Sequence, residues 1–305
     1  MDTVCLDPFS LMGVGDVLYG QGRCEEAIAN YRRALLQAQD AFLKAKLSQR
    51  LARAYMRLGQ FPEAASFWEQ ALPALSGLER AEALNDLGVC YFKLGKIGLA
   101  LAMFEASLVE YRVGGDKRGE ALVLLNLGDA HLSLGRYAQA AEAFERSLDL
   151  LKRFGSEEEL ASAYLLLLGA YVGLSRLEEA ISLLKEAIEG PLKARAGEGY
   201  TLLAILFGMQ GKWGEGLAVA RKALSLLPEW EFSAIADALR VAGALAAFVG
   251  DVQGSIGYYS KALVYGARWE EIRAEVEEML KYLPAPVADE LGAWLCMECE
   301  GGTGD

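Results

Sequence analysis

A chain of 305 residues with 53% hydrophobic and 24% charged side chains has enough apolar content to bury a core, which excludes an intrinsically disordered protein. Its net charge of −12 is concentrated near the end: Glu270 to Asp305 carries ten acidic residues against Arg273 and Lys281, so the rest is close to neutral. An acidic chain is repelled by phosphate, which excludes nucleic acid and anionic membrane as partners.

At the start, Met1 to Pro8 lacks the basic and apolar regions of a secretion signal. The five cysteines, Cys5, Cys24, Cys90, Cys296 and Cys299, are too few and too scattered for a disulfide framework. The most apolar stretch, Ala163 to Leu174, falls well short of the about 20 residues that span a bilayer. A cytoplasmic, reducing location is the expectation. Asp7-Pro8 reads as an N-cap followed by proline at the first helical position, which opens the first helix.

From there a turn recurs: Gly, a basic or polar residue, then often an apolar one. It stands at Gly22-Arg23-Cys24, Gly59-Gln60-Phe61, Gly95-Lys96-Ile97 and Gly135-Arg136-Tyr137, then at Ser175-Arg176-Leu177, Gly211-Lys212-Trp213 and Gly250-Asp251-Val252. The spacing of 36 to 40 residues predicts seven helix–turn–helix units. Before the turn, a small residue precedes a bulky one by three positions, as in Ala52/Tyr55, Gly88/Tyr91 and Gly128/His131. After it come a small residue, a bulky one and another small one, as in Ala64, Trp68 and Ala71, or Ala100, Phe104 and Ser107. Small residues let paired helices approach, and the large ones fill the space between them. Ser156 with Glu159 forms a capping box ahead of the fifth unit. Beyond Gly266, Arg268 to Leu283 reads as an amphipathic helix with an acidic outer face.

These residues and offsets resemble the tetratricopeptide repeat (TPR) family over roughly 8–266. The extra residues between units make the array look like those of kinesin light chains and of maltose-regulator-type proteins. The resemblance implies an all-α, right-handed superhelical solenoid of about seven TPR-like repeats with C-terminal capping helices. The expected organisation is a solenoid over 8–266, acidic capping helices over 267–300 and a disordered tail over 301–305. Repeats six and seven depart from the pattern, with Ala220 at a usually bulky place and Ala246 at an aromatic one.

In such arrays the first helix of each repeat lines the concave face, so the resemblance points to binding positions there. Arg50, Arg53 and Arg57 lie three and four apart on one stripe and suit a carboxylate or acidic peptide; Asn85, Asn126 and Asp129 continue the polar surface. The same arginines also fit an inter-repeat charge ladder, Asp16 to Arg53 and Arg50 to Asp86. The family's clamp for a C-terminal carboxylate needs Lys and Asn where this chain has Met12 and Asp16, so that ligand is not expected. The first helices of repeats five and six are apolar almost all round, and Leu165, Leu166, Val172, Ile205 and Met209 would form an apolar floor for a partner helix or for a homodimer through repeats five to seven.

Motifs for chemistry are sparse. His131 is the one histidine and sits at a buried aromatic place, and Cys296 and Cys299 stand alone without a second ligand pair. No catalytic residue, metal or cofactor is expected. The chain reads as a scaffold that binds a protein or peptide in its groove, with a regulatory sensor or a self-assembling module as the alternatives.

Overall fold

A computed structural model describes residues 6–301, with side chains as far as Met297. Among the described residues there are sixteen α-helices and no strand. The fold is an all-α array of helical repeats. It divides into two compact units, residues 1–170 and 171–305.

The first unit begins with α1 (Pro8–Gly20) and α2 (Cys24–Gln37), followed by α3 (Ala41–Arg57) and α4 (Phe61–Ala71). Then come α5 (Gly77–Lys93) and α6 (Ile97–Gly114), and α7 (Lys117–Ser133) and α8 (Tyr137–Phe154). Each of these is an antiparallel pair. Asp7 caps α1 as its sequence implies, its Oδ1 accepting from the Phe9 and Ser10 amides at 2.9 and 3.1 Å. The Ser156/Glu159 capping box forms in both directions ahead of α9 (Glu157–Gly173), at 2.9 and 3.3 Å.

The recurring turn has one geometry throughout. At the second turn Gly59 takes φ +73°, and the next amide, Gln60, reaches back to the Tyr55 carbonyl at 2.9 Å. The equivalent bond recurs at the other six turns, from Arg23 to Leu18, Lys96 to Tyr91, Arg136 to His131, Arg176 to Tyr171, Lys212 to Phe207 and Asp251 to Ala246. This bond satisfies a carbonyl that a helix end would leave unpaired, and the left-handed residue makes it possible. Ser175 holds the same backbone conformation, φ +58°, without being glycine.

The small–large pattern closes each pair. A methyl group at Gly88 would lie 2.5 Å from the Phe104 ring, and one at Gly128 would lie 2.3 Å from the Phe144 ring. Tyr31, Trp68, Phe104 and Phe144 are all but fully buried. The serines at the last small place do more than save space. Ser107 and Ser147 donate to the Ala81 and Ala121 carbonyls of the partner helix, each at 2.7 Å.

The second unit contains α10 (Leu177–Glu189), α11 (Ala196–Met209) with α12 (Trp213–Leu226), and α13 (Phe232–Val249) with α14 (Val252–Val264). It ends with α15 (Trp269–Met279) and α16 (Ala285–Gly301). Arg268 stands just ahead of α15 without a side-chain capping bond, and α15 ends at Met279, earlier than the amphipathic pattern implies. Two cores hold this unit. One joins α11, α12 and α13 through Ala204, Leu217, Ala220 and Leu245. The other joins α13 and α14 to the last two helices through Tyr259, Ile272, Val276 and Leu291, with Trp294 stacked on Tyr259 at 6.1 Å and set edge-on to Trp269 at 5.6 Å. Gly301 ends α16; residues 302–305 of the expected tail, Cys5 and the side chain of Cys299 lie outside the described residues.

One sequence expectation needs correction. Ala163–Leu174 is not the segment that comes nearest to bilayer length: α13 has a mean hydropathy of 1.6 over 18 residues, long and apolar enough to cross a bilayer by composition. Here half of it is buried against its neighbours in the array. Its alanines hid it, because each adds little hydrophobicity while summing over five turns.

Candidate functional site

In the first unit the polar residues singled out from the sequence are brought together along the face made by α1, α3, α5 and α7. Arg50 Nε lies 2.7 Å from Asp16 Oδ1, which also accepts from the Tyr31 hydroxyl at 2.8 Å. Arg53 pairs with Glu82 at 2.8 Å and approaches Asp86 at 3.9 Å. Arg57 donates to the Tyr19 carbonyl at 3.0 Å and lies over the Tyr19 ring. Asn126 donates to Asn85 at 2.8 Å, and Asn85 in turn to Asp86 at 3.4 Å. A charge ladder is present, but its expected pairing is crossed: Asp16 meets Arg50 and not Arg53, and Asp86 meets Arg53 and not Arg50. The physical reason is stagger. From α1 to α3 and from α3 to α5 the side chains meet about one turn earlier in the following repeat, as Lys46 with Glu79 also shows at 3.3 Å, whereas Asn85 and Asn126 of α5 and α7 meet nearly level with their turns.

The ladder surrounds a small polar pocket of about 240 Å³, lined by Asp16, Tyr19, Tyr31, Gln49, Arg50 and Arg53. Its arginines are occupied by protein groups. At its far end, burial raises the Asp86 carboxyl to about 6 against the opposing pull of Arg53. Burial likewise raises Asp129, with Lys93 opposing. His131 is half-buried; burial lowers its pKa, and its Nδ1 finds no partner.

The positions expected to form an apolar floor fall in different units. Leu165 and Leu166 are half-buried on α9 in the first. Ile205 and Met209 are exposed on α11 in the second, at 40% and 52%. Ile205 belongs to a cleft of about 1040 Å³ between α11 and α13. Thr201, Leu202, Ile205 and Gly208 form one wall; Ala234, Val241, Ala244 and Phe248 form the other. Trp213 stacks on Phe248 at 4.3 Å at its base. Ala234 and Ala244 on the α13 wall are small, which leaves the cleft open, whereas Gly208 is closely packed, a methyl group there lying 3.1 Å from Leu245. Trp230 and Phe232 stand at its rim, 77% and 60% exposed. The polar lining is acidic: Glu198, Glu231, Asp237 and Glu275 against Arg240. Arg240 is itself held by Glu275 at 3.0 Å, Glu271 at 3.3 Å and Asp237 at 3.9 Å.

Of this site the sequence reading singled out Ile205 alone. Trp230, Phe232, Val241 and Phe248 went unnoticed because repeat seven departs from the repeat pattern. The available signal was Trp230-Glu231-Phe232, two large aromatics flanking a charge in a connection after Pro228. Among the described residues, no group of three or more His, Cys, Asp or Glu is placed to hold a metal ion.

Among proteins of known identity, the outer dynein arm-docking complex subunit 4 of Danio rerio is 32% identical over 85 residues, 27% of this chain and 18% of that protein. The chain thus spans less than a fifth of that relative's length. Among solved structures, the array is similar to a signal transduction ATPase with numerous domains carrying a tetratricopeptide repeat sensor, from Pyrococcus horikoshii (TM-score 0.71, 19% identity, 92% of this chain and 44% of that one). It is also similar to a Rap protein complexed with competence and sporulation factor (TM-score 0.53, 18% identity, 86% and 76%). At these identities the likeness shows the fold. The tetratricopeptide repeat family pattern matches residues 8–77, 44–108, 79–153 and 119–193, together more than half the chain. With seven identical turns and the small–large helix pairs between them, this chain belongs to the tetratricopeptide repeat family.

Proposed function

We propose that this chain is a protein-interaction module whose α11–α13 cleft receives a segment of a partner protein. TPR repeats generally mediate protein–protein interaction, and the observation that carries the specific reading is the cleft itself. It combines an apolar lining with two exposed aromatics at its rim, the composition of an interface hot spot. At about 1040 Å³ it reaches the upper limit of small-molecule pockets, about 300–1,000 Å³, which favours a peptide segment over a metabolite. A partner here meets side chains already fixed by the packing of α11–α14, so little ordering is needed on the receptor side.

In this reading Arg50, Arg53 and Arg57, with Asn85 and Asn126, hold neighbouring first helices to one another, and their exposed pairs each contribute about 0–1 kcal/mol. The test is selection from a displayed peptide library, run in parallel on the chain and on its Ile205→Glu/Val241→Glu variant. Peptides enriched by the parent chain and lost on the variant support the cleft. Identical enrichment on both would overturn it.

A further inference from the structure

Resting on the cleft reading above, we infer that the partner segment is amphipathic and cationic, with an apolar face for the α11–α13 walls and Lys or Arg side chains along its edge. The lining carries four carboxylates and one guanidinium, and that guanidinium is shared among Asp237, Glu271 and Glu275. Glu198 pairs with Arg195, itself 62% exposed outside the cleft lining, so this pair remains open to solvent. Glu231 stands between Trp230 and Phe232 in the chain, which sets a carboxylate beside two exposed aromatic rings.

A segment that covers this rim must desolvate those carboxylates, and an uncompensated buried charge is costly. A neutral apolar segment leaves that cost unpaid, and an acidic one adds repulsion. Glu198, Glu231, Asp237, Glu271 and Glu275 share two guanidiniums, Arg195 and Arg240, and a cationic edge answers that surplus of negative charge. Its Lys or Arg groups can also rest on the Trp230 and Phe232 rings, which attract cations through their faces. Complementary charge of this kind acts on partner choice and association rate, and it weakens with salt.

The probes are three synthetic helical peptides of about 16 residues, about 24 Å long, sharing one Leu/Phe face. Their remaining positions are Lys, Gln or Glu, and binding is read by calorimetry at low salt. The Lys peptide is expected to bind at least about tenfold more tightly than the Gln peptide, the Glu peptide least, and the gap to narrow as salt rises from about 0.05 to about 0.5 M. The E198Q/E231Q/D237N variant removes the preference for Lys while the Gln peptide still binds. The E270Q/E277Q/E278Q variant, on exposed positions of α15 that do not line the cleft, keeps it. Equal binding of the Lys and Gln peptides, or loss of the preference in the α15 variant, overturns the inference. If the Gln peptide binds and Ile205→Glu abolishes it, the cleft survives that result. If no peptide responds to Ile205→Glu, the cleft reading falls as well.

Discussion

At the scale of single residues, Asp86 lies in an environment that its place on the charged stripe does not lead one to expect. It lies beside Arg53, yet burial outweighs the cation 3.9 Å away and holds its carboxyl near 6. The unfolded chain releases that proton near 3.9, so between about pH 4 and 6 the folded state binds more protons and stability falls as pH rises. Above pH 6 the full cost remains. Asp86→Asn removes it while Arg53 keeps Glu82, so the variant is expected to be more stable at pH 7.5 by about 1–2 kcal/mol. Below pH 4 the difference should vanish. Urea titrations at both values check this, and a variant less stable at pH 7.5 would show that the Arg53–Asp86 attraction dominates. The sequence revealed that these charges share a stripe. It did not reveal their stagger, because turn-aligned positions carry no information on how one helix is offset against the next.

At the scale of elements, the pairing of helices depends on matched sizes at two places. Gly128 and Phe144 are one such match, with no room for a methyl group between them. Gly128→Ala is expected to cost about 1–3 kcal/mol through overpacking. In repeat two Ala52 stands at the same place and Trp68 at the other, both fully buried, so the constraint belongs to the local ring and not to the repeat. Adding Phe144→Leu should therefore recover part of the loss, and a double variant whose cost equals the sum of the two singles would refute the match. This much was legible, since Gly88/Phe104 and Gly128/Phe144 can be read off the repeat. The hydroxyls of Ser107 and Ser147 were legible only as small groups; their bonds across to α5 and α7 required the packed pairs.

At the scale of the whole molecule, repeat arrays are stabilised by nearest-neighbour packing. Phe144→Ala, which empties the centre of the α7–α8 pair, should cost about 3–5 kcal/mol locally. Its loss of hydrogen-exchange protection is expected to centre on α7, α8 and the helices beside them, leaving α13 and α14 protected. Uniform loss of protection along the chain would instead identify a single cooperative unit.

The sequence by itself determined the repeat, its turns, its caps and the all-α class, because these depend on interactions within about 40 residues and recur until their pattern is unmistakable. It also supplied the charge balance and the arginine stripe. Tertiary structure alone decided that the arginines are spoken for, and that an apolar cleft opens between α11 and α13. Both are relations between helices some 30 to 40 residues apart in the chain, set by stagger and by which facing residues are small. A one-dimensional pattern records neither, and it is least informative in repeats six and seven, where its own regularity lapses.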